Sequence, residues 1–344
     1  MSRNILLIGS IPLGTSRAVF DTVGATLDGL VRRIPDGENG ERLDWVAWQS
    51  ATFARIPFVD TVEPAAVGAG RATSARRLPH FRVRRGFPPT TVRFGSLGYV
   101  EAARRSFADF AAAKAAGMVP PDCRFQVGVA TPLSVVGQFV DTEFQAAIEP
   151  SYERALVEEI DAIAAAVPAR QLAIQWNLAT ELCIVEGHRP VHFGKVMDGV
   201  LERLVRLCER IPAEAEVGLH FCYDDFLLNG FPMPDTLDRL VDLANGVLAS
   251  VARPIAWVHL PVRHDVPAAR YLAPLRRLML SPETELYLGL LHPADGVEGA
   301  SHRIALARRE VADFGIACAC GFGRVSPEAV GTLLALHRRA AEIG

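Results

Sequence analysis

The chain has 344 residues, 50% of them hydrophobic, with a formal net charge of −3 and a pI near 6.3. That length can bury a large core and is ordinary for one barrel, so a single domain over residues 1–344 is expected. The near-neutral balance and scattered arginines exclude a sequence-wide attraction to nucleic acid or an anionic membrane, which leaves a small molecule as the expected partner.

The apolar stretch at residues 5–8 is too short for a signal segment, and no run of about 18 apolar residues follows it. A soluble, cytoplasmic protein is expected. Six cysteines are too sparse for a disulfide scaffold in such a chain, so each is either a small buried hydrophobe or a ligand.

Along the chain, short apolar runs alternate with longer stretches of helical period, the pattern of βα units around a parallel sheet. Eight runs fit, at residues 4–10, 30–35, 124–132, 172–178, 216–223, 254–262, 285–292 and 315–321. Their near-continuous apolar character suits strands buried on both faces. Helices are predicted at 17–30, 152–167, 193–210, 235–251 and 302–314, where apolar residues recur three and four apart. The expected fold is α/β, a (β/α)8 TIM barrel. Residues 58–99, rich in Gly, Pro, Arg and Thr, break the rhythm and are predicted to form an insertion after strand two, a hairpin over one end.

Working residues of such barrels stand at the C-terminal ends of the strands. The fifth predicted strand ends GLHFCYDD, and His220 and Cys222, two apart, face the same side. His259 lies on the sixth strand in WVHLPV, and the seventh ends at His292 in GLLHPADG. The eighth ends CACGFGR, where Cys318 and Cys320 share a face and Gly321 and Gly323 permit close turning. Taken singly, a buried cysteine is packing and a lone histidine a satisfied polar group. Jointly, on adjacent strand ends, they point to a metal. Three Cys/His ligands with an open position are what a catalytic zinc needs.

These residues resemble the catalytic barrel of cobalamin-independent methionine synthase, within the larger group that includes uroporphyrinogen decarboxylase. IGSIP at residues 8–12 is similar to that family's first-strand signature, PDGENGERLDW at 35–45 to its segment after strand two, and IQWNLATE at 174–181 to its fourth strand. The H-x-C-Y of 220–223, His292–Pro293 and Cys320–Gly321 complete the likeness. The resemblance implies zinc held by His220, Cys222 and Cys320. The family's fourth ligand is a glutamate on strand six; His259 stands there, either as a ligand or lining the site. The resemblance also implies that Glu38 and the Asn177 position grip the substrate's amino group while first-strand backbone near Ile8 and Ser10 meets its carboxylate. The family has an aspartate where Asn177 stands, and an amide forms no charge-assisted bond to an ammonium. Glu181 either compensates or is a solvated loop residue. The chain corresponds to the catalytic half of the full-length synthases.

The implied chemistry is methyl or alkyl transfer to a small-molecule thiol, activated as a zinc-bound thiolate, from an alkyl donor that the sequence does not identify. His292 is placed to protonate the leaving group, with backbone bonding as its alternative. Asp225 or its neighbour Asp224 is expected to orient His220 through its second ring nitrogen, the other capping a helix. Asp36 and Arg42 either touch substrate or belong to the PDGENG turn. Competing readings are a metal-independent decarboxylase or lyase on the same barrel, and a non-catalytic homologue. No oligomeric interface is legible.

Overall fold

The computed structural model describes residues 4–62 and 78–343. Its strands are β1 (Arg33–Pro35), β2 (Val59–Val62), β3 (His80–Val83), β4 (Arg124–Ala130), β5 (Leu172–Leu178), β6 (Glu216–Phe221), β7 (Trp257–Pro261), β8 (Glu285–Leu291) and β9 (Gly315–Cys318). Seven of them form one curled parallel sheet in the order β1-β4-β5-β6-β7-β8-β9.

The expected first strand, residues 4–10, makes isolated bridges instead of a continuous ladder. Ile5 bridges both Val31 and Ile316, and Ser10 bridges Gly37. The amide of Ile5 donates to the Leu30 carbonyl at 2.8 Å and that of Leu6 to Ile316 at 3.0 Å, so successive residues serve opposite flanks. One segment thereby bonds to both edges of the sheet.

Helices connect the strands and cover the sheet's outer face, burying a continuous apolar core against it. Thr142–Ala166 begins ten residues before the predicted 152–167, running through Pro150. Burial of Ile148 and Tyr152 on either side of that proline holds the helix together through it. A separate buried cluster of Leu6, Ile8, Ala173, Trp257, Tyr287 and Ala317 packs apart from that core. Beside it Arg33 lies 4.3 Å over the Trp257 ring and pairs with Glu216 at 3.0 Å and Glu285 at 2.9 Å. Glu216, Trp257 and Glu285 are first residues of their strands, so this plug closes the N-terminal end and leaves the C-terminal end for a site.

Within the stretch 58–99, β2 and β3 pair antiparallel from Val59 opposite Val83 to Val62 opposite His80. Residues 63–77 of the predicted insertion lie outside the described residues. The Phe81 ring stacks on Phe53 at 5.1 Å and meets Phe139 edge-on at 6.1 Å, which pins the pair to the body of the protein. Among the described residues, no helix is long and apolar enough to cross a membrane.

Candidate metal centre

Parallel register sets the site. His220 on β6 stands opposite Asn177 on β5 and His259 on β7, so three polar side chains form a row across adjacent strands. Cys222 follows in the same alternation, its amide still held by the Leu178 carbonyl at 2.9 Å. Cys320 arrives from beyond the end of β9. Its sulfur lies 3.3 Å from that of Cys222 and 4.0 Å from Nε2 of His220. The three donor atoms all fall within 4.8 Å of one another, and His220 and Cys222 are buried.

This donor set fits zinc. A tetrahedral ion at about 2.3 Å from each sulfur would set the two sulfurs about 3.8 Å apart, close to the spacing here. The electrostatics point the same way. Burial, then His259, holds His220 well below the usual histidine range, so it offers a neutral lone pair. The hydrogen bond with Cys320, then burial, holds the Cys222 thiol well above its ordinary range. The buried Cys222 thiol and the half-buried Cys320 thiol face a neutral imidazole, with the Arg324 guanidinium as the cation acting on them, and a dication between them would favour their ionised forms.

The trio opens on a small cavity that Ile8, Ser10, Glu38, Trp45 and Asn177 also line. Glu38 is buried at a positive φ of 48°, its amide bonded to Oδ1 of Asp36 at 2.9 Å. Its Oε2 accepts from Ser10 Oγ at 2.5 Å. Burial pushes its carboxyl up to about 7. Gly9 and Gly128 make the room: a Cβ on either would stand 2.8 or 2.7 Å from Oε1 of Glu38. Asn177 is oriented by Gln175, whose Nε2 donates to Oδ1 of Asn177 at 2.9 Å and to the Ile8 carbonyl at 2.7 Å. Nδ2 of Asn177 is thus left on the Glu38 side, where a Cβ on Gly128 would meet it at 3.3 Å.

Four residues singled out in the sequence have other partners here. His259 is not in the ligand cluster: its Nδ1 lies 2.8 Å from Nδ1 of His220 and its Nε2 3.1 Å from the Cys318 carbonyl, and burial pushes it down to about 4. Asp225, expected beside His220, is held by Arg189 at 2.6 and 2.7 Å; the ring nitrogen it was to bond faces His259 instead. Asp224 accepts from Trp45 Nε1 at 3.1 Å and pairs with Arg324 at 2.7 Å. Glu181 is buried away from the cavity, accepting from Thr131 Oγ1 and, at 2.8 Å, from Ser134 Oγ. His292 spends its Nε2 on the Val262 carbonyl at 2.7 Å, and burial, then Arg303, pushes it down to about 4, so it carries no proton to donate from the free nitrogen. Its ring packs on His264, centroids 4.5 Å apart.

Asp36 and Arg42 pair with each other at 2.7 Å and shape the loop that presents Glu38. Sequence reasoning passed over Trp45, Gln126 and Gln175. A signal existed for the glutamines, since each is a polar residue inside an otherwise apolar strand. Gln126 donates to the Leu7 and Ile8 carbonyls and to Gln175, binding the first segment to β4 and β5.

No protein-family profile and no curated protein matches the chain. Among solved structures, it is similar to a B12-independent methionine synthase from Shewanella sp. W3-18-1 in complex with selenomethionine. The TM-score is 0.65 at 15% identity, over 100% of this chain and 97% of that one. It is also similar to a methyltransferase from Methanosarcina mazei, with a TM-score of 0.59 at 10% identity over 99% and 94% of the two chains. The likeness is one of fold.

Proposed function

We propose that the chain transfers a methyl or alkyl group to a small-molecule thiol, with zinc held by His220, Cys222 and Cys320. In this reading residues 4–10 act as the eighth strand of a closed (β/α)8 barrel, and the whole chain is one catalytic domain. The observation that carries it is convergence: two thiols and one imidazole nitrogen within 4.8 Å, opening on the cavity that Glu38 and Asn177 line. The fold shared with two methyl-transfer proteins supports the reaction class.

Zinc, when bound, supplies a Lewis acid that lowers a thiol's pKa and presents sulfur as a nucleophile at neutral pH. The chain's own residues bind and orient the substrate. Asn177 Nδ2 donates a hydrogen bond to it, and Oε1 of Glu38 accepts one or holds a proton. Trp45 adds an apolar ring to the lining. In the net reaction a sulfur–carbon bond forms, the donor's carbon–leaving-group bond breaks, and the thiol proton departs with the donor fragment or to solvent.

Elemental analysis of purified protein, paired with a thiol-alkylation assay, tests this. About one zinc per chain is expected, with the metal lost in Cys222→Ser. Full activity in metal-free protein, or unchanged metal content in Cys222→Ser, would overturn it.

A further inference from the structure

We infer that His259 is a positioning residue for this centre: it holds His220 with the ring proton on Nδ1 and the Nε2 lone pair toward the two thiols. The chain then contributes three ligands and leaves a fourth position open. The inference rests on the zinc reading above, and it concerns a histidine that reading does not otherwise use.

Hydrogen-bond logic carries the first step. A carbonyl oxygen only accepts, so the Cys318 carbonyl, 3.1 Å from His259 Nε2, requires the hydrogen on that nitrogen. The Phe221 backbone also acts on this ring, and with the hydrogen held on Nε2 toward Cys318 a neutral imidazole has a bare Nδ1. The His220 Nδ1 facing it at 2.8 Å must donate, which leaves Nε2 of His220 without a hydrogen. That nitrogen is the one 4.0 Å from the Cys320 sulfur. Both rings are buried, His259 entirely, so water does not compete for these bonds.

The anchor of this chain of bonds is built into the sheet. Residues 220 and 259 are register partners on neighbouring parallel strands, so their rings project from the same row. The Cys318 carbonyl reaches His259 because the end of β9 leans across β8. Register slips between Leu288 and Leu291, and a Cβ on Gly289 would stand 2.7 Å from Cα of Ala319 and 3.1 Å from the Cys318 carbonyl oxygen. Glycine at 289 admits that close approach. The same stretch of backbone delivers Cys320 two residues later. One segment thus sets both the second thiol and the tautomer of the imidazole opposite it. His259 is kept off the metal by the same arrangement, since both of its ring nitrogens are engaged behind His220.

The test uses the full chain with 15N-labelled histidine, metal-free and then titrated with zinc, the rings assigned with His220→Asn and His259→Asn. In metal-free protein His220 should carry its hydrogen on Nδ1 and His259 on Nε2, and zinc should perturb Nε2 of His220 directly. Chelator competition should show His259→Leu binding zinc 10- to 100-fold more weakly, while His259→Asn, whose Oδ1 can accept in place of Nδ1, keeps most of the affinity. A hydrogen on Nε2 of His220, direct zinc ligation by His259, or wild-type affinity in His259→Leu would each overturn the inference. Should His259→Leu fail to fold, Gly289→Ala displaces the anchor and leaves both rings, and His220 should then lose its single tautomer; an unchanged tautomer would count against the relay. If no zinc binds under any condition, the zinc reading fails, and the His220 tautomer in metal-free protein still decides the role of His259.

Discussion

The polar end of the cavity is a donor beside a near-neutral carboxyl. Gln175 turns the Asn177 amide so that its NH2 group faces the space beside Glu38. An amide there contributes a neutral hydrogen bond, worth roughly 1 kcal/mol, where a carboxylate would contribute a charge-assisted one of about twice that strength to an ammonium. On the proposed thiol chemistry, the pocket suits a substrate whose far end does not depend on an ammonium. Asn177→Asp should bind a small aminothiol about tenfold more tightly than the wild type does, with no gain for the deaminated analogue. Calorimetric titration of both ligands checks this; equal gains for the two would remove the argument from charge.

Elements decide what several site candidates actually do. Glu181, at the start of the helix Thr180–Val185, accepts from Thr131, the N-cap of the neighbouring helix Pro132–Phe139, and from Ser134 within it. The carboxyl locks one helix start to another. Burial pushes it from 4.5 up to about 7, so the folded state holds this proton more tightly than the unfolded chain. At this site the folded state binds more protons between those two values, so the contribution of Glu181 to stability falls as pH rises from about 4.5 to about 7, by roughly 3 kcal/mol at most, and is level on either side. Glu181→Gln should remove this component alone, so that across the window stability falls less, or rises more, with pH than in the wild type in denaturant titrations, while Glu38 and the buried histidines keep their own contributions. A slope equal to wild type would show that Glu181 is not the group responsible.

Across the whole molecule the two ends of the sheet are opposites. At the N-terminal end the Arg33 guanidinium is buried between Glu216, Glu285 and Trp257, while the C-terminal end converges on neutral donors around a cavity. Removing one partner of a buried ionic cluster strands the others, so Arg33→Met should cost about 3–5 kcal/mol. A lowered denaturant midpoint, with zinc content per folded chain unchanged, is the expected result. A loss of zinc at full folding would mean that the two ends are coupled.

Sequence by itself determined the α/β class, most of the parallel strands and the shared face of His220 and Cys222, because apolar runs and two-residue alternation are local properties of the chain, while Cys320 was added to them by the family resemblance. Tertiary structure alone decided which ring nitrogen, carboxylate or amide is free. Asp225 is taken by Arg189, 36 residues away, His292 by the Val262 carbonyl, 30 residues away, and Glu181 by Thr131, 50 residues away. Segment 4–10 reads as a plain strand, yet its amides divide between two flanks only once the sheet has curled. His259 shows the difference most sharply. Its place beside His220 follows from strand order, but whether it ligates or orients depends on a carbonyl brought within 3.1 Å by the lean of β9 across Gly289. Hydrogen bonds are satisfied by whatever the fold brings near, and that is a property of register and close approach, not of spacing along the chain.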